Sequence, residues 1–156
     1  MNSSYKKYIK EAIILDFSTF MTLTKKIDSG YKKRSEPIAK KFGLSTCDFD
    51  IIMFLHNNPK YYTAKDISDM RRFKPNVLSN HIEKLVNDGY LIRMSVPGDR
   101  RKVKLINTPK AMAVVELGLQ MQRAFFEDLL KGLTKEDIEL FKHYIGVLNE
   151  NADEIK

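Results

Sequence analysis

The hydrophobic period of this chain changes in one place, and that change limits the folds it can adopt. Before Gly89 the apolar residues recur every three or four positions, as they do on one face of an α-helix. From Tyr90 to Leu105 they alternate with polar residues around Pro97-Gly98-Asp99, which predicts an antiparallel hairpin with a turn at its tip. The helical period returns after Thr108. The chain should therefore be mostly α, with one short sheet.

Three short motifs mark helix starts. In each, a hydroxyl residue is followed three positions later by an acid, so that side chain and backbone can cap each other. The motifs are Ser45 to Asp48, Thr63 to Asp66 and Thr134 to Asp137. They predict helices over 46–57, 63–70 and 134–151.

The other helices are predicted from apolar stripes and from the positions of glycine and proline. Gly30, Gly43, Gly89 and Gly132 suit helix ends, whereas Pro75 and Pro109 suit the first turn. The resulting predictions are one long helix over 5–27, a short one over 36–42, and helices over 75–88 and 109–131.

The net charge of +7 is unevenly distributed. Residues 63–110 carry 11 Lys or Arg against 5 Asp or Glu, whereas residues 111–156 carry 5 against 9. A basic middle beside an acidic end attracts polyanions to one part of the molecule. The plainer alternative is that many proteins are mildly basic without any specific partner.

Several function classes lack support in the sequence. Cys47 is the single cysteine, so a reducing cytoplasmic setting is expected, and no segment suits a signal peptide or a membrane span. His56, His81 and His143 lie far apart, without the spacing of metal ligands. No Gly-rich phosphate loop, nucleophile elbow or catalytic carboxylate pair occurs. We expect no enzyme activity, cofactor or metal.

The two helices at 63–70 and 75–88, joined by residues 71–74 and followed by a basic hairpin, form a winged helix-turn-helix pattern. In this motif the second helix enters the DNA major groove, where its early polar side chains reach base edges. Three cations at the hairpin tip favour contact with phosphates or the minor groove. The alternatives are a solvated helix start and a solvated tip. The expected DNA contacts are Thr63, Lys74, Asn76, Val77, Ser79, Asn80, His81, Lys84, Asp99, Arg100, Arg101 and Lys102.

This part of the chain resembles the multiple-antibiotic-resistance regulator (MarR) family. The resemblance rests on Leu-Val-Asn-Asp-Gly-Tyr-Leu-Ile at 85–92, on Arg93, on the wing residues Asp99-Arg100-Arg101, and on their spacing to Val103, Leu105 and Thr108. Residues 107–111 depart from the family's usual Leu-Thr-x-x-Gly at the wing end. Asn80 stands where many members have arginine, so no operator preference carries over.

The resemblance implies a homodimer that binds double-stranded DNA. Residues 45–108 would form the DNA-binding winged helix, flanked by long N- and C-terminal dimerisation helices within 1–44 and 109–156. An apolar seam supports this independently, because a winged helix offers it no partner; the alternative is an intrachain seam. The expected dimer residues are Tyr5, Tyr8, Ile9, Ile13, Ile138, Phe141, Ile145 and Leu148.

The resemblance also implies regulation of transcription, most often repression relieved by a small ligand bound between the dimerisation helices and the winged helix. An aromatic or apolar effector would suit the candidate pocket residues Phe17, Phe20, Met21, Phe49 and Met53; a closed core is the alternative. Cys47 does not match the oxidant-sensing cysteine of some family members, which lies in the first long helix, so we expect a structural role. The competing function is a protein-interaction scaffold without DNA readout.

Overall fold

The structure, a computed structural model, describes residues 17–71 and 73–155, without the side chains of Phe17, Arg100 and Arg101. Six helices and one hairpin occur within these residues. They are α1 (Phe17–Lys41), α2 (Thr46–Asn57), α3 (Ala64–Arg71), α4 (Pro75–Asn87), β1 (Leu91–Val96), β2 (Asp99–Asn107), α5 (Pro109–Leu129) and α6 (Lys135–Glu154). The expected class, a mostly α winged helix-turn-helix with a β-hairpin wing, is confirmed.

The first helix differs from its prediction. α1 continues through Gly30 and includes Pro37, so the predicted stop at Gly30 and the separate helix over 36–42 are wrong. One interior glycine costs a helix only about 1 kcal/mol, which the remaining turns can offset. The helix ends instead at Gly43, whose φ is 69°, where the Leu44 N–H donates to the Ala39 carbonyl at 2.9 Å.

The predicted capping motifs form as expected. The Ser45 hydroxyl accepts from the Asp48 N–H at 3.1 Å, and the Asp48 carboxylate accepts from the Ser45 N–H at 2.9 Å. Thr63 with Asp66 and Thr134 with Asp137 repeat this exchange. Each motif satisfies N–H groups that the first helical turn leaves unpaired. The prediction of 46–57 for α2 is confirmed, and α3 and α6 start one residue after the predicted positions.

The two strands pair antiparallel around Pro97-Gly98. The register runs regularly from Leu91 opposite Asn107 to Ser95 opposite Val103, and then shifts so that Val96 lies opposite Asp99. The shift falls at residues 100–102, the basic triplet of the tip. A bulge of this kind bends a strand and redirects its side chains away from regular pairing.

The chain forms two compact units, one ending at Met121 and one beginning at Gln122. The core of the first unit is built around α2, which buries five consecutive residues from Ile51 to Leu55. Leu78, Ile82 and Leu85 of α4 and Val114 of α5 belong to the same core. The buried side chains of α2 therefore form the centre of the core on which α4 and α5 pack. Helix α6, in the second unit, buries none of its described residues.

Candidate nucleic-acid interface

Helices α3 and α4 form the helix-turn-helix. The Ser68 hydroxyl donates to the Phe73 carbonyl at 2.9 Å and so closes the turn. Lys74 is the N-cap of α4, and Pro75 occupies the first helical turn, as predicted. Leu78, Ile82 and Leu85 anchor α4 to the core. This anchoring leaves the opposite face of α4 exposed.

The exposed face of α4 carries short polar side chains. Asn76, Ser79 and Asn80 are exposed, and so is Val77. Asparagine can make a paired contact to adenine, and serine can bond to most bases. These residue types at the start of a protruding helix therefore suit direct base readout.

Glu83 is a further exposed residue on this face, and the sequence reasoning missed it. It stands three positions after Asn80 and seven after Asn76, a spacing that puts all three on one side of a helix. That spacing was a signal available in the sequence. A carboxylate here can accept from the cytosine amino group and is repelled by phosphates.

Two predicted DNA contacts pair with a carboxylate of the same chain, although Lys84 itself is exposed. Nδ1 of His81 lies 2.7 Å from Oδ1 of Asp48, and the Lys84 ammonium donates to Oδ2 of Asp48 at 3.0 Å. Lys84 also lies 3.5 Å from Asp88. His81 and Lys84 thus contact a carboxylate on α2, and their assignment as direct DNA contacts stays a prediction.

Asp48 is the buried member of this cluster, with 1% of its surface exposed. Burial alone would raise its pKa, but hydrogen bonds from Ser45, His81 and Lys84 hold the pKa below its ordinary value. Burial likewise would lower the pKa of Lys84, and the carboxylates of Asp48 and Asp88 raise it. The carboxylate is therefore ionised at neutral pH, and it accepts from both partners.

The wing presents its cations beside the start of α3. Lys102 is exposed, and Lys104 places its ammonium 5.1 Å from the centre of the Tyr62 ring. Asp99 is half-buried at the start of β2. Arg100 and Arg101 lie in β2, but their side chains fall outside the described part of the chain. The half-buried Thr63 donates its hydroxyl proton to Asp66 at 2.7 Å, so its first role is capping.

A cavity of about 670 Å³ separates the wing from the start of α3. Lys60, Lys65 and Lys102 line it, together with Asp66 and Asp69. The sequence reasoning did not single out Lys60 or Lys65. The three lysines extend the basic surface from the wing tip toward the helix-turn-helix.

The four candidate pocket residues whose side chains the structure describes line none of the main cavities of the described residues. Phe49 and Met53 lie in the closed core, whereas Phe20 and Met21 are exposed on α1. Gly118 of α5 packs against the core pair: a Cβ added there would lie 2.9 Å from Cε of Met53 and 3.2 Å from Cζ of Phe49. The fifth residue, Phe17, has no described side chain.

The single cysteine and the potential metal ligands offer no reactive centre. Burial and the neighbouring carboxylates of Asp50 and Asp48 raise the pKa of the Cys47 thiol, which opposes formation of a reactive thiolate. Among the described residues, no group of His, Cys, Asp and Glu could hold a metal ion. None of the described helices has the length and apolar character that a membrane span requires.

Residues 42–102 match the family model of the MarR family, which covers α2 through most of the wing. No curated protein matches the chain in sequence. Solved structures share its fold. A MarR transcriptional regulator from Methanosarcina mazei has 16% identity and a TM-score of 0.73, over 89% of this chain and 99% of its own.

Two similar structures contain DNA. A MarR family regulator from Listeria monocytogenes, solved with a 26-mer DNA, has 18% identity and a TM-score of 0.72, over 86% of this chain and 89% of its own. The MepR–DNA complex from S. aureus has 16% identity and a TM-score of 0.68, over 88% and 99%. The winged-helix fold is therefore shared with these regulators.

Proposed function

We propose that this chain, whose residues 42–102 match the MarR family model, is a ligand-responsive transcriptional repressor of that family. It binds a pseudo-palindromic operator in double-stranded DNA as a homodimer. Helix α4 reads bases in the major groove, and the wing contacts phosphates or the minor groove. The solved DNA complexes of similar proteins are consistent with this assignment.

One observation carries the proposal: a helix face of exposed amides lies beside a basic hairpin. Asn76 and Asn80 provide base-reading groups without net charge. Lys102 and the neighbouring Arg100 and Arg101 provide the charge that binds phosphates. Helix α4 thus provides the groups that read bases, and the adjacent wing provides the charge that attracts phosphates. This division suits a sequence-specific DNA-binding protein.

The proposed dimer is supported by the apolar surface of the second unit. Phe141, Ile145 and Leu148 are 48%, 49% and 55% exposed and follow one another at helical spacing, with the half-buried Ile138 one turn before. A monomer rarely leaves so large an apolar stripe in water. A second copy of the same helix offers a self-complementary surface. The predicted partners Tyr5, Tyr8, Ile9 and Ile13 lie outside the described residues.

The proposed effector is a small aromatic or apolar molecule that binds between the dimerisation helices and the winged helix. Exposed Phe20 and Met21 on α1 are available to such a molecule, whereas Phe49 and Met53 are accessible only if the core opens. An effector acts only if it prefers one spacing of the two α4 helices, the recognition helices of the proposed dimer, over another.

The competing function is a winged-helix scaffold that binds proteins and has no sequence preference in DNA. Selection of bound sites from random duplex DNA separates the two. The repressor proposal expects enrichment of two inverted half-sites about 34–36 Å apart, one turn of B-DNA. Recovery of unenriched sequences, with binding that about 0.2 M salt abolishes, would favour the scaffold.

A further inference from the structure

We propose that Asp48 is a positioning residue for DNA recognition: it fixes the rotation of the recognition helix by holding His81 and Lys84 against α2. The inference rests on the proposed function, since it concerns how the same helix reads DNA. Asp48 itself touches no base.

The contacts join two helices through one carboxylate. Each carboxylate oxygen of Asp48 has a partner on α4, His81 Nδ1 at 2.7 Å and Lys84 Nζ at 3.0 Å. The two partners stand three positions apart, one helical turn, so they hold α4 at two points along its axis. The same carboxylate accepts the Ser45 N–H, which ties the link to the start of α2.

Because Asp48 is buried, its contacts with His81 and Lys84 favour one rotation of α4 over others. A carboxylate that is 1% exposed must be paired, because an uncompensated buried charge is strongly unfavourable. Any rotation of α4 that withdraws both partners leaves Asp48 without a counter-charge. Leu78, Ile82 and Leu85 also attach α4 to the core, but apolar contacts are less directional than charged hydrogen bonds.

The link sets the direction of the base-reading face. Successive residues in a helix are about 100° apart, so the stripe of His81 and Lys84 lies next to the stripe of Asn80 and Glu83. Holding the first stripe on α2 directs the second outward. A binding constellation needs its side chains within about 0.5 Å and 10–20° of productive geometry, and two contacts along α4 restrict the rotation that would disturb it.

The alternative is that Lys84 leaves Asp48 when DNA arrives and contacts a phosphate. The two roles predict different losses. A positioning role predicts that discrimination between operator and random DNA falls, whereas a phosphate contact predicts equal losses on both and a salt slope smaller by about one.

The experiment uses full-length variants of the two partners, because changes at Asp48 also remove the α2 cap. His81→Leu and Lys84→Met cut the link on the α4 side. His81→Asn is the conservative variant, since its side-chain amide can replace Nδ1 as a donor. Ser45→Ala is the matched control, because it weakens the α2 cap but leaves both contacts from α4 to Asp48 intact.

We expect His81→Leu and Lys84→Met to lose roughly tenfold in the ratio of operator to random-duplex affinity, measured well below their melting temperatures. His81→Asn should keep the ratio, and so should Ser45→Ala even though it melts at a lower temperature. Equal losses on both DNAs would overturn the proposal in favour of the phosphate contact, and an unchanged ratio would overturn it outright.

Two measurements without DNA keep the test independent of the proposed function. Amide hydrogen exchange in α4 should be faster in His81→Leu and Lys84→Met than in Ser45→Ala. Carboxyl NMR should show the pKa of Asp48 rising toward its ordinary value in the same two variants. If the wild-type protein enriched no DNA sequence, the repressor proposal would fail. Faster amide exchange of α4 in His81→Leu and Lys84→Met would still support the link between Asp48 and α4. Unchanged exchange would reject the link itself.

Discussion

The backbone N–H of Leu105 donates to the carbonyl of Tyr62 at 2.8 Å, and this bond attaches the wing to the segment directly before α3. Asn107 extends the attachment, since its amide donates to the Ile52 carbonyl at 3.0 Å. The base of the hairpin is thus fixed to α2 and to the segment directly before α3. These two bonds hold the base of the wing beside the helix-turn-helix.

Arg101→Ala and Lys102→Ala should each weaken DNA binding on operator and random duplex alike. A phosphate contact releases counterions, so removing one should reduce the slope of log affinity against log salt by about one. Lys131→Ala, which removes a cation outside the winged helix, is the control and should leave the slope unchanged. Titrations at several salt concentrations provide the measurement; identical slopes for all four proteins would remove the wing from the interface.

Asn76→Ala and Asn80→Ala should act on particular bases. Each should cost about 1–3 kcal/mol on the operator and relax the preference at one position of the selected site. Affinity for random DNA should stay near the wild-type value. Repeating the site selection with each variant gives the measurement. If the selected sequences remain identical to those of the wild type, these amides solvate the helix and read no base.

Glu83→Gln should raise affinity for random DNA, since it removes a negative charge from the groove-facing side of α4. If the carboxylate also accepts from a cytosine amino group, preference for that cytosine should weaken at the same time. Exposed Glu127 on α5 is the matched control, and Glu127→Gln should alter neither quantity. A fall in affinity for random DNA in Glu83→Gln would contradict the proposed orientation of this face.

The local elements were readable from the sequence because their signals act over three or four residues. The capping box of Ser45 with Asp48 and the glycine at 89, whose φ is 75°, depend on neighbouring atoms alone. The prediction that the first helix ends at Gly30 was wrong, which shows that a local signal alone does not fix a helix end. A glycine permits a helix end without requiring one, and in α1 the helix continued until Gly43 offered its own left-handed end.

The sequence named the residues of the candidate site, but it did not reveal all of their contacts within the protein. His81 and Lys84 look like DNA contacts from their positions in a recognition helix. Their engagement depends on Asp48, which stands 33 and 36 residues earlier, and no local pattern reports a pairing at that separation. The same limit applies to Phe49 and Met53, which lie against Gly118 of α5, more than 60 residues later in the chain.

Phe141→Asp should prevent dimerisation. The change puts a charge into an apolar seam that is exposed in one chain and buried in the proposed dimer, at a cost of several kcal/mol. His143→Asp is the control, because residue 143 lies on the opposite side of α6 from Phe141 and Ile145. Sedimentation should give a monomer for the first variant and a dimer for the second, and operator affinity should fall only in the first. A wild-type protein that is monomeric at micromolar concentration would contradict the architecture.

Asp50→Asn should raise the melting temperature at pH 7 by a few °C. Burial raises the pKa of Asp50; Arg71 and Lys32 oppose the rise, and Asp28 adds to it. A carboxyl group whose pKa is higher in the folded than in the unfolded state contributes stability at pH values below its unfolded-state pKa. This contribution is lost as the pH rises through its folded-state pKa. The gain from Asp50→Asn should therefore disappear near pH 4. Asp48→Asn should behave oppositely and destabilise at pH 7, because the pKa of Asp48 is lowered.

Gly118→Ala should lower the melting temperature, although alanine normally favours a helix by about 1 kcal/mol. The added methyl group meets Met53 and Phe49 at distances below ordinary contact, and overpacking of a core costs about 1–3 kcal/mol. Gly146→Ala on α6 is the matched control, since a Cβ there meets nothing within 4 Å, and it should raise the melting temperature.

The same pair of variants tests where the effector acts. If the molecule enters between α5 and the core, the methyl group of Gly118→Ala occupies space that it needs. Release of DNA by a panel of aromatic acids and phenols should then require higher concentrations than in the wild type, with operator affinity in their absence unchanged. Gly146→Ala should respond as the wild type does. If Gly118→Ala released DNA at the same effector concentrations as the wild type, the core would stay closed during release. The effector would then bind at the exposed Phe20 and Met21 of α1.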